Sequence, residues 1–379
     1  MGRGVQEHTN RLLSGLTGIG RVHRIDGLPH EYYGGELNQS VEEILANAGL
    51  TSIDSRLSRS TALAFSAIQE LLENVDFGGG KRCALINATS VGGMDTTEQE
   101  YLRNRESWDY TRFLQHNLGQ INDRLCAHYG WNLFNTTMST ACSSAANAMM
   151  LGARLIRSGQ YDQVIVGGTD ALSNFTMRGF ESLMIYDAEL CRPFDDTRAG
   201  LNLGEAAAYV LLESEQSARE RGHTANVRLT GWANANDAFH ATASSPDGKG
   251  AVLSMTQALE VANLQPEDID YINAHGTATP NNDLSESIAI KQVFSEVPVF
   301  SSTKAFTGHT LAAAGAIEAV FSVLSIEKNL AWANLNWTTP IADTGLVPAL
   351  ETTSLEINHV LSNSFGFGGN NSTLIFSSI

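Results

Sequence analysis

Residues 140–159 combine a cysteine with the pattern of a buried helix. The side chains are apolar or small on nearly every side, and Gly159 is typical of a helix C-cap. A helix that is apolar all round is usually buried. Cys142 lies at or just before the first turn, where free backbone N–H groups and the helix macrodipole favour a thiolate. We therefore predict a nucleophile with a lowered pKa, although an isolated free cysteine is more often an inert core residue.

Three further stretches place reactive side chains in loops that are rich in small residues. They are residues 273–280 with His275, residues 304–309 with Lys304 and His309, and residues 362–370 with Phe367. Gly276 and Gly308 flank the two histidines, so we expect both on turns at the ends of elements. A lone histidine there is more often structural. Two histidines together with a helix-start cysteine favour nucleophilic and acid–base chemistry.

Composition restricts the class of protein. The 379 residues are 42% apolar and include 34 glycines, which suits a compact α/β protein, and the net charge of −17 argues against general nucleic-acid binding. Four irregularly spaced cysteines favour reduced thiols and a cytoplasmic location, and no cluster has the spacing of a metal site. No apolar run is long enough to span a membrane, and residues 1–30 lack the pattern of a signal peptide.

Segments typical of strands and helices alternate along the chain. We predict strands at 83–88, 134–139, 161–169, 205–213, 227–232 and 270–273, a short strand-loop near 298–301, and a β-rich end at 356–376. We predict helices at 5–16, 56–72, 107–129, 140–159, 250–262 and 307–329, a surface loop at 20–50 and a polar connector at 217–222. This alternation indicates a layered α/β architecture with largely parallel sheets, in two halves at 1–222 and 223–379.

The four motifs, in this order and spacing, resemble those of the elongating β-ketoacyl-acyl-carrier-protein synthases, types I and II, of the thiolase superfamily. The resemblance runs from about Val5 to Ile379 and includes residues 192–195 and 204–205. Type III enzymes carry Asn where His309 stands, and chain-length-factor relatives lack the nucleophile that Cys142 provides. The resemblance implies a thiolase fold, with two similar halves in a layered αβαβα arrangement around buried central helices.

The resemblance also implies a role for each reactive residue. Cys142 would take an acyl group from a carrier-protein thioester. The backbone N–H groups of Cys142 and Phe367 would form an oxyanion hole, with Phe367 also acting as a gate. His275 and His309 would donate hydrogen bonds to the malonyl thioester carbonyl and stabilise the enolate that forms when carbon dioxide leaves.

Further residues are implied as supporting and binding groups. Lys304 would order the histidine region in a network with Glu318, and Thr277 and Thr279 would bind the phosphopantetheine arm. The residues that match a monovalent-cation site in some relatives are Asn273, Glu318, Ser362 and Asn363. No cofactor is expected beyond the phosphopantetheine of the acyl carrier protein.

Carrier-protein docking is assigned to a basic pair. Arg56 and Arg59 lie three residues apart, so we expect them to share a helix face where relatives present basic residues to the acidic carrier protein. Such a pair is more often an ordinary solvated surface. We expect a homodimer, or a heterodimer with a related subunit.

The chain departs from the family pattern before Val5, where relatives carry a strand of the VVVTG type. We expect either a late-assigned start or a strand that is missing or replaced in one sheet. Fatty-acid elongation is the first interpretation, a polyene or polyketide ketosynthase is the alternative, and a non-catalytic partner subunit is a third. The end of the acyl channel is expected near residues 108–120, where bulky Trp108 and Phe113 would shorten it.

Overall fold

The computed structural model describes residues 1–54, 56–103 and 109–379. The helices of this part of the chain are α1 (Gly4–Ser14), α2 (Val41–Asn47), α3 (Arg59–Asn74), α4 (Met94–Arg103), α5 (Tyr110–Phe113), α6 (Gln120–Tyr129), α7 (Ser144–Arg157), α8 (Asn174–Ser182), α9 (Glu215–Glu220), α10 (Lys249–Ala262), α11 (Pro280–Val293), α12 (Lys304–Thr307) and α13 (Ala314–Lys328). The strands are β1 (Gly20–Arg21), β2 (Tyr33–Gly34), β3 (Cys83–Ala88), β4 (Phe134–Met138), β5 (Gln163–Asp170), β6 (Ala206–Glu213), β7 (Val227–Asn236), β8 (Tyr271–Asn273), β9 (Val299–Ser301), β10 (Leu330–Ala331), β11 (Thr353–Ser354), β12 (His359–Gly366) and β13 (Asn370–Ser378).

The strands form two main sheets with the same pairing pattern. The first has the order β4-β3-β5-β6, with β4, β3 and β5 parallel and β6 antiparallel to β5. The second has the order β9-β8-β12-β13-β7, with β9, β8 and β12 parallel and β13 antiparallel to β12. β7 then pairs antiparallel with β13 as a fifth strand. The carboxyl ends of the parallel strands in each sheet therefore lie at one edge, where loops can present functional groups.

Two helices fill the space between the sheets. α7 contacts β3 and β5 of the first sheet and also β7 and β13 of the second, and α13 contacts β6, β12, β13 and α7. Eleven of the 15 residues of α13 are buried, as expected of a helix that is apolar on most sides. α3 covers the outer face of the first sheet, and α10 covers that of the second. The predicted αβαβα layers with buried central helices are confirmed.

Several predicted elements have different bounds. The helix predicted at 307–329 is interrupted: α12 ends at Thr307, Gly308 has a φ of 72°, and α13 begins only at Ala314. The region predicted as a surface loop contains α2, whose Ser40 and Glu43 form a capping box. The polar connector after β6 is itself helical, as α9. α2 and α9 both begin after a serine whose side chain accepts a backbone N–H of the first turn, a signal that apolar spacing does not show.

The two sheets differ at one edge. β7 covers the outer side of β13, whereas β6 has no strand on its outer side among the described residues. A groove of about 730 Å³ runs along that edge of β6, lined in part by Val210, Leu212 and Trp232. Among the described residues, β7 of the second sheet therefore has no counterpart in the first sheet. Within the described residues, no helix is long and apolar enough to cross a membrane.

Candidate active site

Cys142 lies in the short loop between β4 and α7. The residue before it, Ala141, has a φ of 52°, and α7 begins two residues later at Ser144, so the sulfur stands at the N-terminal end of a buried helix. The end of β12 passes close by. A Cβ on Gly366 would lie 3.0 Å from the carbonyl oxygen of Thr140 and 3.2 Å from the nitrogen of Cys142. Glycine at 366 therefore allows the two loops to approach each other.

Three reactive groups meet at this point. The sulfur of Cys142 and one ring nitrogen each from His275 and His309 all lie within 4.8 Å of one another. The two imidazole rings are 5.5 Å apart and nearly perpendicular. All three side chains are buried. His275 follows β8 and His309 follows α12, so the second sheet and its connections bring both histidines to a cysteine that the first sheet carries.

Hydrogen bonds define the tautomer of each histidine. The backbone N–H of Leu311 donates to Nδ1 of His309 at 3.1 Å, so the ring proton of His309 lies on Nε2. Nδ1 of His275 lies 3.2 Å from Nζ of Lys304, which forms a buried ion pair with Glu318. The ammonium group donates to that nitrogen, which places the proton of His275 on Nε2 as well.

Both histidines are neutral. Burial, together with the positive charge of Lys304, holds their pKa values well below the usual range. Two neutral imidazoles with Nε2–H donors beside a sulfur can bind the carbonyl oxygen of a thioester. They can also stabilise the negative charge that develops on it.

The expected lowering of the Cys142 pKa is wrong. Burial raises the pKa of this thiol to about 11, and this effect outweighs Lys304 and the backbone N–H groups of Phe367 and Cys142, all of which lower it. The helix start alone does not compensate for removing the thiolate from water. Those two N–H groups are the pair that was expected to form the oxyanion hole, and both stabilise charge at Sγ.

A buried carboxylate that the sequence analysis missed holds the His275 loop. Glu286 accepts hydrogen bonds from the backbone N–H groups of His275 and Gly276, both at 2.8 Å, and from the side chain of Asn363 at 3.1 Å. Burial raises the pKa of Glu286 to about 7. Asp283, one turn earlier on α11, accepts from the backbone of Ala278. Two acidic residues three apart after a histidine loop were a visible signal, because they share one helix face.

Three residues were expected around the substrate. Phe367 is half-buried and stacks on Phe180 with ring centres 5.7 Å apart. Thr277 and Thr279 are buried and share a hydrogen bond of 2.9 Å, and Thr279 also caps α11. Both threonines lie in the loop that carries His275. Their contact with a substrate arm stays a prediction.

The four residues of the expected cation site come from β8, α13 and β12. The side-chain amide of Asn273 contacts the carbonyl oxygen of Glu318 at 3.4 Å, and Ser362 lies opposite Asn273 in the pairing of β8 with β12. Successive strand residues point to opposite faces, so the side chains of Ser362 and Asn363 diverge, and that of Asn363 bonds to Glu286 and Thr373. A cation site at this position stays a prediction.

The predicted docking pair is wrong as a pair. Arg59 lies in the first turn of α3, is buried, and forms an ion pair with Glu205. Arg56 precedes the helix, is largely exposed and pairs with Asp54. The helix begins only at residue 59, so the two arginines do not share a face, and only Arg56 remains available to a partner. Of the expected channel residues, Phe113 ends α5 half-buried, and Trp108 lies outside the described residues.

Two family models cover most of the chain. The N-terminal domain of beta-ketoacyl synthase matches residues 1–218, and the C-terminal domain of beta-ketoacyl synthase matches residues 227–338. The chain belongs to the beta-ketoacyl synthase family. Enzymes of this family are acyltransferases that form carbon–carbon bonds by Claisen condensation. The predicted family and enzyme class are therefore confirmed.

Relatives resemble this beta-ketoacyl synthase over nearly its whole length. A 3-oxoacyl-[acyl-carrier-protein] synthase 2 of Staphylococcus aureus is 32% identical over 99% of this chain and 95% of its own. The solved ishigamide ketosynthase/chain length factor has a TM-score of 0.91 at 27% identity, covering 100% of this chain and 96% of that one. A type II polyketide ketosynthase solved with its acyl-carrier protein has a TM-score of 0.87 at 27% identity, covering 100% and 96%.

Proposed function

We propose that the protein is a 3-oxoacyl synthase that joins an acyl group held on Cys142 to malonyl-acyl carrier protein by decarboxylative Claisen condensation. The convergence of Cys142 with two neutral, Nε2-protonated histidines carries this proposal. A cysteine and two histidine donors suffice for both half-reactions.

In the first half-reaction Cys142 attacks the thioester of an acylated carrier protein. A bond forms between Sγ and the acyl carbon, and the thioester bond to the phosphopantetheine sulfur breaks. The thiol proton ends on the released phosphopantetheine sulfur, so the step has no net uptake or release of a proton. The backbone N–H groups of Cys142 and Phe367 are suited to bind the oxyanion of the tetrahedral intermediate.

In the second half-reaction malonyl-carrier protein takes the place of the first donor. The bond to its carboxylate breaks, carbon dioxide leaves, and the electron pair becomes an enolate whose oxygen accepts from Nε2–H of His275 and His309. The enolate carbon then attacks the acyl carbon, the bond to Sγ breaks, and the cysteine takes up a proton. Burial of the site excludes water that would otherwise protonate the enolate or hydrolyse the acyl-cysteine.

The partners and location follow from this chemistry. Acyl carrier protein delivers both substrates on its phosphopantetheine arm, and no further cofactor is needed for a cysteine–histidine mechanism. We assign the protein to the cytoplasm, as a dimer with itself or with a related subunit, and divide each chain into halves at 1–222 and 223–379. The dividing point lies between β6 of the first sheet and β7 of the second.

Fatty-acid elongation is the first choice of pathway, supported by the 3-oxoacyl synthase that aligns over nearly the whole chain. A polyketide- or polyene-type ketosynthase is the second candidate. It is favoured by a specific observation, namely that solved structures similar over the full length include ketosynthases paired with a chain length factor.

Intact-protein mass spectrometry with a panel of acyl-carrier proteins tests the proposal. The wild-type protein should gain the mass of the acyl group and Cys142→Ala should not, and the preferred acyl group separates fatty-acid from polyketide pathways. Addition of malonyl-carrier protein should then release a 3-oxoacyl product. Absence of acylation by every donor, alone and with a purified partner subunit, would support the non-catalytic interpretation and contradict the proposal.

A further inference from the structure

Asp170 ends β5 and has no role in the two half-reactions described above. Its side chain is fully buried and accepts hydrogen bonds from four donor groups. Three donors belong to the loop after β3, which are the Thr89 hydroxyl at 2.5 Å and the backbone N–H groups of Ser90 and Val91 at 3.1 and 3.2 Å. The fourth is the backbone N–H of Ala312 at 2.8 Å, on the far side of the domain boundary. Asp170 therefore ties the first sheet to the turn that follows His309.

That turn has an unusual backbone. Leu311 has a φ of 53°, in the left-handed region, which is unfavourable for a residue other than glycine. Such a conformation persists only where neighbouring contacts hold it. β5 approaches the turn directly, because a Cβ on Gly168 would lie 3.1 Å from the carbonyl oxygen of Ala312. The carboxylate of Asp170 thus sits where it can hold the strained turn.

Two successive N–H groups of the turn have different acceptors. The N–H of Ala312 donates to Asp170, and the N–H of Leu311 donates to Nδ1 of His309. The two groups belong to adjacent peptides, so with Leu311 held at a φ of 53° the direction of one constrains the direction of the other. The bond from Leu311 in turn keeps the ring proton of His309 on Nε2, which is the donor that the second half-reaction requires.

We propose that Asp170 is a positioning residue that acts through the strained Leu311–Ala312 turn to hold His309 in its Nε2-protonated tautomer. This role rests on the proposed function of His309 as an enolate-stabilising donor. Asp170 does not touch the substrate. It contributes to the second half-reaction, in which His309 takes part, and not to the transfer of the acyl group to Cys142.

The variant Asp170→Asn separates these contributions. An asparagine has one acceptor oxygen, so its NH₂ group must face either the N–H of Ala312 or those of Ser90 and Val91, and the turn loses its anchor. We expect malonyl decarboxylation and condensation to fall about 10- to 100-fold in kcat, the scale on which partners that orient functional histidines act. The KM for malonyl-carrier protein and the rate of Cys142 acylation should stay within about threefold of wild type.

Asp95→Asn is the matched control. Asp95 is a buried aspartate of the same half that accepts the backbone N–H of Arg59 at 2.9 Å, and its hydrogen bonds involve neither histidine. It should leave the ratio of the two half-reactions unchanged. Thr89→Val removes one donor to Asp170 and keeps the side-chain shape. This variant should also lower condensation while preserving acylation, by a smaller factor than Asp170→Asn. If Asp170→Asn does not fold, Thr89→Val provides the test.

The outcomes distinguish this proposal from the function on which it rests. Equal losses in both half-reactions, no loss at all, or the same selective loss in Asp95→Asn would overturn the positioning role. If instead the wild-type protein neither takes an acyl group nor condenses it, the proposed function itself fails.

Discussion

The two sheets are built alike and carry different chemistry. β3, β4, β5 and β6 of the first sheet occupy the same places as β8, β9, β12 and β13 of the second. The loop after β4 carries Cys142, whereas His275 lies in the loop after β8 and Lys304 begins α12 soon after β9. In the proposed mechanism, one half therefore supplies the group that becomes acylated, and the other supplies the groups that bind the developing enolate. The active site exists only where the two halves face each other.

The loops after the equivalent strands β3 and β8 show how this difference is built. Each is held by a buried carboxylate that accepts backbone N–H groups: Asp170 for residues 89–91 and Glu286 for residues 275–276. The loop after β3 carries no histidine, and its carboxylate also reaches the turn after His309. Both halves therefore hold a loop with a buried carboxylate. In the proposed mechanism, Glu286 holds a loop that contains a catalytic histidine, whereas Asp170 acts on His309 through the turn that follows it.

The largest expected effect comes from removing the group that the first half supplies. Cys142→Ala should lower acylation and condensation by at least about 10⁴-fold, because loss of a catalytic nucleophile costs this much or more. The change is small and buried, so circular dichroism should match wild type. Acylation measured by intact mass is the readout. Retained acylation would show that another residue accepts the acyl group. It would contradict the assignment of the nucleophile to Cys142 in the first half.

Removing either histidine should affect only the second half-reaction. His275→Gln and His309→Gln should each lower malonyl decarboxylation and condensation about 10²- to 10³-fold, the cost of losing one oxyanion donor. Acylation of Cys142 should stay within about threefold of wild type, because its oxyanion donors are the backbone N–H groups. Rapid-quench measurement of each half-reaction checks this. Equal losses in both would mean that the histidines also serve acyl transfer.

Glu286→Gln should have a smaller effect in the same direction. The glutamine amide cannot accept from both His275 and Gly276, so the loop that presents His275 loosens. We expect condensation to fall about 10- to 100-fold with acylation preserved. Ser287, the next residue along α11, offers a control, because Ser287→Ala removes a buried hydroxyl with no hydrogen-bond partner among the described residues. An unchanged condensation rate in Glu286→Gln would contradict the role of the carboxylate.

The sequence predicted the reactive residues better than their electrostatics. Motif spacing identified Cys142, His275 and His309 as a group, and the structure brings them together. The thiol pKa was misjudged, because the helix start is visible in the sequence while the burial that opposes it depends on both sheets. The prediction of Arg59 as an exposed docking residue is wrong for the same reason. Its partner in the buried ion pair, Glu205, lies 146 residues away in the sequence.

The anchoring carboxylates show a second limit. Asp283 and Glu286 could have been found from their spacing on one helix, but Asp170 gives no local signal. Its role appears only when Ala312, 142 residues later, donates to it across the boundary between the halves. Fold class and layers were predictable because apolar periodicity is local, whereas a group that acts across two halves is defined by tertiary contacts.

The smallest expected effect is on the pH dependence of stability. Burial raises the pKa of Asp95 to about 6 and that of Glu286 to about 7. A carboxyl group with a raised pKa binds its proton more tightly when folded. Its contribution is therefore fully present below the unfolded pKa and is lost as the pH rises through the folded one.

Asn and Gln do not titrate, so the two variants lack this pH-dependent contribution to stability. Each variant should therefore lose less stability than the wild-type protein when the pH rises from 5 to 7. The difference should be about 1 kcal/mol for Asp95→Asn and about 2 kcal/mol for Glu286→Gln, since one pKa unit corresponds to about 1.4 kcal/mol. Urea unfolding at the two pH values measures it. The overall negative charge changes with pH almost equally in all three proteins and cancels in the difference. A larger effect in Asp95→Asn than in Glu286→Gln would contradict this prediction. It would mean that burial raises the pKa of the carboxyl group more in the first half than in the second.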